Sequence, residues 1–248
     1  MGAGPYHGAA KVRPRAVRYI PSMRVRPSAL FLALACACGP SHEPPHRSRV
    51  TVTGALARIS RAPHDVAVLD LGELGSIRIE LLPEIAPKSV AYFSSLAEQR
   101  FYDGTTFHRV IPGFMIQGGD PLSKNRDPRD DGRGSSGQRI ADEFSDYPQL
   151  RGTVSLANSG APGSGVCQFF IVQQDARSLD GNYSVIGRVV DGMETVDAVT
   201  RLPIDLYGRY GPPDRPYPKS AVMRSVRIEH AAAAAAPAQP LAAAGSPG

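Results

Sequence analysis

The stretch FHRVIPGFMIQGGD, residues 107–120, brings together a permanently charged guanidinium, aromatic rings, a thioether and a carboxamide. Side chains alternate between the two faces of a strand, which places Phe107, Arg109 and Ile111 on one face. The Pro-Gly turn dipeptide at 112–113 then allows a second short strand to begin. Two strands joined by this turn can direct a set of candidate side chains at one concave surface: Arg109, Phe114, Met115 and Gln117.

Three further motifs follow along the chain: GTVSLAN at 152–158, QFFI at 168–171 and LDGNYSVIG at 179–187. Together with the first stretch, and in the same order, they resemble the signature of the cyclophilin family of peptidyl-prolyl cis/trans isomerases. The resemblance covers most of residues 65–230. It implies an enzyme that isomerises X-Pro bonds, takes proline-containing polypeptides as substrates and uses no cofactor.

Short strand patterns and two separated helix patterns predict the architecture. Residues 76–81 alternate apolar and polar side chains, as a half-buried strand does. From Pro87, which suits a first helical turn, apolar residues recur on one face as far as Gln99. Such a pattern predicts a mainly β protein folded as a closed antiparallel barrel. The cyclophilin resemblance specifies eight strands, with an α-helix capping each end.

Two long segments have no core-forming pattern and are predicted to be surface loops. Residues 121–138 are polar and dominated by Gly, Ser, Asp and Arg, whereas residues 201–219 contain five prolines and three tyrosines. The first of these loops carries an unusual number of charges for the resembled family. We therefore expect it to influence which peptides approach the site.

The formal net charge of +5 is unevenly distributed. Residues 1–62 hold ten Lys or Arg and one acidic residue, whereas residues 63–248 hold 18 basic and 22 acidic residues. The predicted domain is therefore mildly acidic. A nucleic-acid partner would require basic residues clustered on that domain, and the sequence shows no such run, so no nucleic-acid partner is expected.

Residues 1–38 are predicted to be a leader that contains a secretory signal peptide. A basic stretch at 23–28 precedes about ten apolar residues that end in small side chains. This apolar run is too short to span a bilayer. Met23 makes a more ordinary start than Met1. We expect export to the periplasm, with or without a membrane anchor; the alternative is a basic tail on a cytoplasmic protein.

The end of the apolar run also resembles a bacterial lipoprotein processing site, in which Cys36 or Cys38 would carry the lipid. Ala33 and Ala35 stand where that site usually has Leu, and the ending also suits ordinary signal peptidase. The sequence therefore leaves open lipidation at either cysteine or at neither. Attachment to a membrane through an N-terminal lipid would follow from the first two cases.

The rest of the chain divides into a linker, one domain and a tail. Residues 39–62 are rich in Pro, His, Ser and Arg and are predicted to be a disordered linker. The resemblance implies that residues 63–230 form the isomerase domain, and the Ala/Pro-rich residues 231–248 are predicted to be a disordered tail. Cys167 is the single cysteine of the domain, so we expect a small buried apolar residue rather than a disulfide. We expect a monomer.

Isomerisation requires a hydrogen-bond donor close to the amide nitrogen. Amide resonance sets a barrier of about 18–20 kcal/mol to rotation, and twisting the bond makes the nitrogen a better acceptor. A fixed donor aimed at that nitrogen stabilises the transition state more than the ground state. Arg109 fits this requirement because it is always protonated and carries several donors in a rigid fork.

The resemblance assigns the other roles residue by residue. Arg109 and Gln117 match the catalytic pair, in which the Gln positions the Arg and the substrate. Four residues match the apolar floor that receives the proline ring: Phe114, Met115, Phe170 and Leu179. Ala157 and Asn158 match the edge that pairs with the peptide backbone. Tyr183 stands where many members carry His and is expected to form a pocket wall. No His or Glu pair has metal-ligand spacing, so no metal site is predicted.

Two rival functions remain at this point. A proline-peptide-binding or chaperone module would keep the pocket but catalyse poorly. A structural protein of the cell envelope would need its lipid anchor but not the pocket.

Overall fold

The computed structural model describes residues 53–161, 163–217 and 219–231. The predicted leader with Met23, Cys36 and Cys38, most of the predicted linker and the tail from residue 232 lie outside the described residues. None of the helices within these ranges is long and apolar enough to cross a membrane.

Three α-helices and ten strands form the described chain. The helices are α1 (Thr53–Arg58), α2 (Pro87–Glu98) and α3 (Met193–Thr200). The strands are β1 (Val66–Asp70), β2 (Ser76–Leu81), β3 (Arg109–Ile111), β4 (Met115–Gly118), β5 (Thr153–Leu156), β6 (Phe169–Val172), β7 (Val185–Asp191), β8 (Ile204–Asp205), β9 (Arg215–Pro216) and β10 (Ser225–Glu229). Helix α1 lies within residues 39–62, the range predicted to be a disordered linker, so six residues of that range are helical.

Eight strands form one antiparallel sheet in the order β10-β1-β2-β7-β5-β6-β4-β3. Strands β8 and β9 pair separately, within the segment predicted to be the second long loop. The prediction of a mainly β protein with eight antiparallel strands is therefore confirmed.

The sheet curls without closing into a barrel. Within the described residues, the end strands β3 and β10 do not pair, and the segments before them meet at one isolated bridge between Thr106 and Val222. There the Phe107 backbone N–H donates to the Ala221 carbonyl oxygen at 3.1 Å. The predicted closed barrel is not confirmed.

One apolar core joins the sheet to helices α2 and α3. The predicted apolar face of α2, which includes Val90 and Phe93, is buried, as is Val196 on α3. The rings of Phe93 and Phe169 meet edge to face, with centroids 5.4 Å apart. Cys167 is fully buried in this core, as predicted, and burial raises the pKa of its thiol to about 11.

The prediction that Phe107 shares a face with Arg109 is wrong. Phe107 is fully buried in the core together with Val110, whereas Arg109 is exposed. Strand β3 begins only at Arg109, so the strict alternation used for the prediction does not extend back to residue 107.

A buried ion pair joins the two segments predicted to be surface loops. Arg215, on β9, lies 2.5 Å from the Asp131 carboxylate, and the two side chains are 5% and 2% exposed. Burial raises the pKa of Asp131, even though Arg215 favours its charged form. Each charge is thus tolerated in the interior only because the other is present.

Replacing one member of this pair should destabilise the protein strongly. Asp131→Asn leaves the Arg215 charge buried without a partner, and we expect the free energy of unfolding to fall by about 3–5 kcal/mol, measured by urea denaturation. The double variant Asp131→Leu/Arg215→Met should lose less than the single one, because it removes both buried charges.

The matched control is Asp127→Asn, which breaks an exposed pair with Arg129 in the same loop. We expect this change to have little effect on stability. If Asp127→Asn and Asp131→Asn lowered the free energy of unfolding equally, burial of the Asp131–Arg215 pair would make no difference to its contribution to stability.

Candidate functional site

Strand register aligns three of the candidate residues in one row. Arg109 on β3 lies opposite Gln117 on β4, and Gln117 lies opposite Phe170 on β6. Neighbouring strands are about 4.8 Å apart, so side chains in one row can interact. The register therefore brings a cation, an amide and an aromatic ring side by side.

Alternation along the strands separates the core from this row. Ile116 on β4 and Ile171 on β6 are fully buried in the main core. Their sequence neighbours Met115 and Phe170 instead belong to a second apolar cluster on the other face of the sheet. The same alternation directs Gln117 to that outer face.

A cleft with a volume of about 100 Å³ opens over the row. It is lined by all nine residues predicted from the sequence to act in catalysis or substrate binding: Arg109, Phe114, Met115, Gln117, Ala157, Asn158, Phe170, Leu179 and Tyr183. The structure thus brings every candidate to one place, although the residues come from four separate motifs. Their individual roles stay predictions.

The apolar wall of the cleft is formed in advance. The rings of Phe170 and Tyr183 meet edge to face, with centroids 5.0 Å apart and planes inclined at 84°. Phe114, Leu179 and Tyr183 are only partly buried against the cluster that contains Met115. Aromatic and aliphatic surface therefore remains accessible to a small apolar ring.

The Arg109 side chain is the cation of the cleft. It is exposed, and its guanidinium forms no hydrogen bond or ion pair with the residues that the structure describes. An arginine without an internal acceptor can direct its whole fork of donors at a ligand.

Gln168 is a supporting residue to which the sequence analysis gave no role. Its side-chain oxygen accepts a hydrogen bond from the Gln117 amide at 2.9 Å. Its own amide donates to the carbonyl oxygens of Gly132 and Gly134 at 3.1 and 3.0 Å. Gln168 precedes Phe170 by two residues. In an extended segment this spacing puts two side chains on the same face, so the sequence could have indicated that Gln168 lies on the face of Phe170.

Asn158 and Ala157 form the edge of the cleft at the end of β5. The Asn158 amide donates to the Asn182 carbonyl oxygen at 3.0 Å, and its side-chain oxygen accepts from the Gly160 N–H at 3.0 Å. These two contacts occupy the Asn158 side chain within the protein.

The family model described as cyclophilin type peptidyl-prolyl cis-trans isomerase/CLD matches residues 66–231 of this chain. A probable peptidyl-prolyl cis-trans isomerase of Brucella suis biovar 1 (strain 1330) is 42% identical over 154 residues, which are 60% of this chain and 78% of that relative. Peptidyl-prolyl cis-trans isomerase-like 3 of Gallus gallus is 42% identical over 135 residues, which are 54% of this chain and 81% of that relative.

A solved structure with the same fold is the cyclophilin type peptidyl-prolyl cis-trans isomerase of Cryptosporidium parvum, crystallised in the presence of the dipeptide Ala-Pro. It is 28% identical in sequence, with a TM-score of 0.57. The alignment covers 66% of this chain and 98% of that one.

His108 is a buried neighbour of the cleft that does not line it. It precedes Arg109 but is only 5% exposed. Burial lowers the pKa of His108 from 6.5 to about 4; Arg215 acts in the same direction, and Asp120 opposes it. The imidazole is therefore neutral in the folded protein at neutral and mildly acidic pH.

This burial should make stability depend on pH. Between about pH 6.5 and 4 the unfolded chain binds a proton at residue 108 that the folded protein does not, so stability should fall as the pH is lowered. The difference between the two pKa values corresponds to about 3 kcal/mol. Urea denaturation at several pH values should show that His108→Gln removes this part of the dependence.

His230 provides a control of opposite sign. It is exposed, and its hydrogen bond to Asp65 raises its pKa. Its contribution to stability is therefore present at low pH and lost as the pH rises through the raised pKa, so His230→Gln should weaken the protein mainly at low pH. Parallel stability curves for the wild type and His108→Gln would contradict the assignment to His108.

Proposed function

This chain belongs to the cyclophilin-type peptidyl-prolyl cis-trans isomerases, and from that membership we propose that the nine-residue cleft is where it isomerises X-Pro bonds of exported proteins. The observation that supports the site is the meeting of an open apolar slot and a guanidinium that has no partner among the described residues, in one small cleft. The proposal concerns the mechanism, the roles of the residues and the cellular location.

The task of the catalyst is to let the amide twist. An X-Pro bond prefers trans by only about 0.5–1 kcal/mol, yet unaided exchange takes tens to hundreds of seconds, because resonance must be broken. No covalent bond to the enzyme is needed. The protein has to hold the proline ring and stabilise the nitrogen while its lone pair is localised.

Arg109 is the donor in this proposal. Its guanidinium carries fixed positive charge and a fork of N–H groups, which would bond the proline carbonyl and the region of the twisting nitrogen. Gln117 lies opposite Arg109 in the strand register, and Gln168 holds the Gln117 amide at 2.9 Å. The bond from Gln168 keeps the Gln117 amide oriented beside Arg109 before a substrate arrives, and such preorganisation lowers the cost of reaching the transition state.

The apolar slot holds the ring. Phe114, Met115, Phe170 and Leu179 would form its floor, with Tyr183 as a wall whose orientation is fixed by the edge-to-face contact with Phe170. A space of about 100 Å³ is suited to one compact ring rather than to a large side chain. Ala157 and Asn158 would pair with the peptide backbone. We propose that a monomer is the working unit.

The cellular location rests on the leader. A basic stretch, a short apolar run and a small-residue end support secretion from a start at Met23. Processing at Cys36 or Cys38 would leave the enzyme tethered to a membrane, and ordinary cleavage would leave it free in the periplasm. Either product would meet polypeptides that fold after export.

Removing the cation should impair catalysis without unfolding the protein. We expect Arg109→Ala to lower kcat/KM for a single-proline peptide by about a hundredfold, because a preorganised transition-state donor is lost. Arg109→Lys should fall in between, since it keeps the charge but not the fork. Isomer exchange measured by NMR gives both values.

The control is Arg201→Ala, which removes an exposed arginine that does not line the cleft. Its kcat/KM should match that of the wild type. Proline peptides that bind to the wild type without faster exchange would support the binding-module alternative instead. An Arg109→Ala rate equal to that of Arg201→Ala would remove Arg109 from the mechanism.

Intact-mass measurement of the protein from the membrane, periplasmic and cytoplasmic fractions tests the location. A chain that begins at Cys36 or Cys38 and carries the added mass of a lipid is expected if lipidation occurs. A chain that begins at or after Cys36, carries no added lipid mass and is found in the soluble periplasm would support simple secretion. Recovery of the intact leader on cytoplasmic protein would contradict export altogether.

A further inference from the structure

A groove with a volume of about 960 Å³ lies between the two long segments that the proposed mechanism does not use. Residues 126–129 and 133 form one wall, and residues 208–213 form the other. We call this feature the arginine groove. It is much larger than the cleft and lies outside it.

Positive charge dominates the arginine groove. Arg126, Arg133 and Arg209 line it, and none of their guanidiniums forms a hydrogen bond or ion pair within the described part of the chain. The fourth arginine, Arg129, is neutralised by two contacts with Asp127 at 2.8 Å. The sequence analysis found no basic cluster because these arginines lie on two segments far apart in the chain.

The two walls are fixed to each other. The buried Asp131–Arg215 pair joins them, and the Lys219 ammonium donates to the Asn125 carbonyl oxygen at 2.7 Å. A Cβ added to Gly211 would lie 2.5 Å from the Pro128 carbonyl oxygen, so this close approach requires glycine. The groove is therefore a built feature rather than a chance meeting of loops.

A second cavity shares lining residues with both the arginine groove and the cleft. Arg133 lines the groove and also this second cavity, which has a volume of about 350 Å³. That cavity shares Gln117, Ala157 and Asn158 with the cleft. A polypeptide that enters the cleft can therefore extend along the second cavity and reach the groove.

We propose that the arginine groove binds an acidic segment of the same polypeptide whose X-Pro bond occupies the cleft. This role of the arginine groove rests on the proposed function. Binding of an acidic segment there would make the enzyme select substrates with Asp or Glu at a set distance from the proline. Each exposed ion pair contributes a factor of roughly two to five in affinity, so several arginines together give a useful preference.

A polypeptide suits the groove better than a nucleic acid or a membrane does. Residues 63–248 hold 22 acidic against 18 basic residues, so a large polyanion would be repelled by much of the remaining surface. A short acidic segment needs only the local charge. The second cavity, which shares lining residues with the groove and the cleft, also favours a chain that the enzyme already binds.

The test uses the full-length protein and pairs of peptides with one X-Pro bond. One peptide of each pair carries a run of Glu and the other a run of Gln, joined on either side through Gly/Ser spacers of about two to ten residues, which extend up to roughly 35 Å. At the best spacing, we expect kcat/KM to be about tenfold higher for the Glu peptide, and the preference to decrease as salt is added.

Arg126→Gln/Arg209→Gln should reduce this preference to about twofold while leaving the rate for the Gln peptide unchanged, since neither residue lines the cleft or the second cavity. The matched control is Arg61→Gln/Arg201→Gln, which removes two exposed arginines elsewhere and should keep the full preference.

The outcomes separate this role from the isomerase activity itself. Normal acceleration of the Gln peptide with no preference for Glu at any spacing would overturn the groove's role alone. A preference that survives Arg126→Gln/Arg209→Gln would overturn it as well, as would an RNA oligonucleotide or anionic vesicle that binds the groove where the Glu peptide does not. No acceleration of either peptide would overturn the proposed function and this role together.

Discussion

The cross-strand register between β3, β4 and β6 is the constraint on which the site depends. It sets Arg109 beside Gln117 and Gln117 beside Phe170, while the alternating neighbours Ile116 and Ile171 anchor the same strands in the core. A shift of the strand register by one residue would turn the side chains of the cleft toward the core and those of the core toward the cleft, and would bury the polar side chains. Core packing and cleft geometry are therefore two results of one alignment, which explains why a small site can be held by short strands.

Local patterns in the sequence predicted many of the helices and strands, whereas the resemblance to the cyclophilin family supplied the number of strands and most of the residues of the cleft. The apolar spacing of α2 and the turn after β3 mark their own positions. Phe107 was misplaced because alternation holds only inside a strand, and β3 begins at Arg109. The closed barrel was not confirmed because closure depends on how the two end strands meet, which no single segment encodes.

The parts of the site that the sequence did not indicate are those made by distant partners. Gln168 supports Gln117 from 51 residues away, and the Asp131–Arg215 pair forms between two stretches that show no apolar pattern. Polar residues in such stretches give no periodic signal, whether they end up solvated or buried. The composition of these segments did not indicate that a buried pair of charges would fasten them, nor that Leu202 and Ile204 of the second segment pack against the main core.

The open end of the curled sheet leaves β3 with an unpaired edge, the kind of surface on which strands of other molecules can add and start aggregation. Here that edge is occupied from within, because the Val110 N–H donates to the Asp214 carbonyl oxygen at 2.6 Å and β9 packs alongside β3. The residue that follows Arg215 is a proline, which has no N–H to offer to a further strand. The proline-rich segment thus blocks the edge of β3, the strand that bears Arg109, against pairing with strands of other molecules.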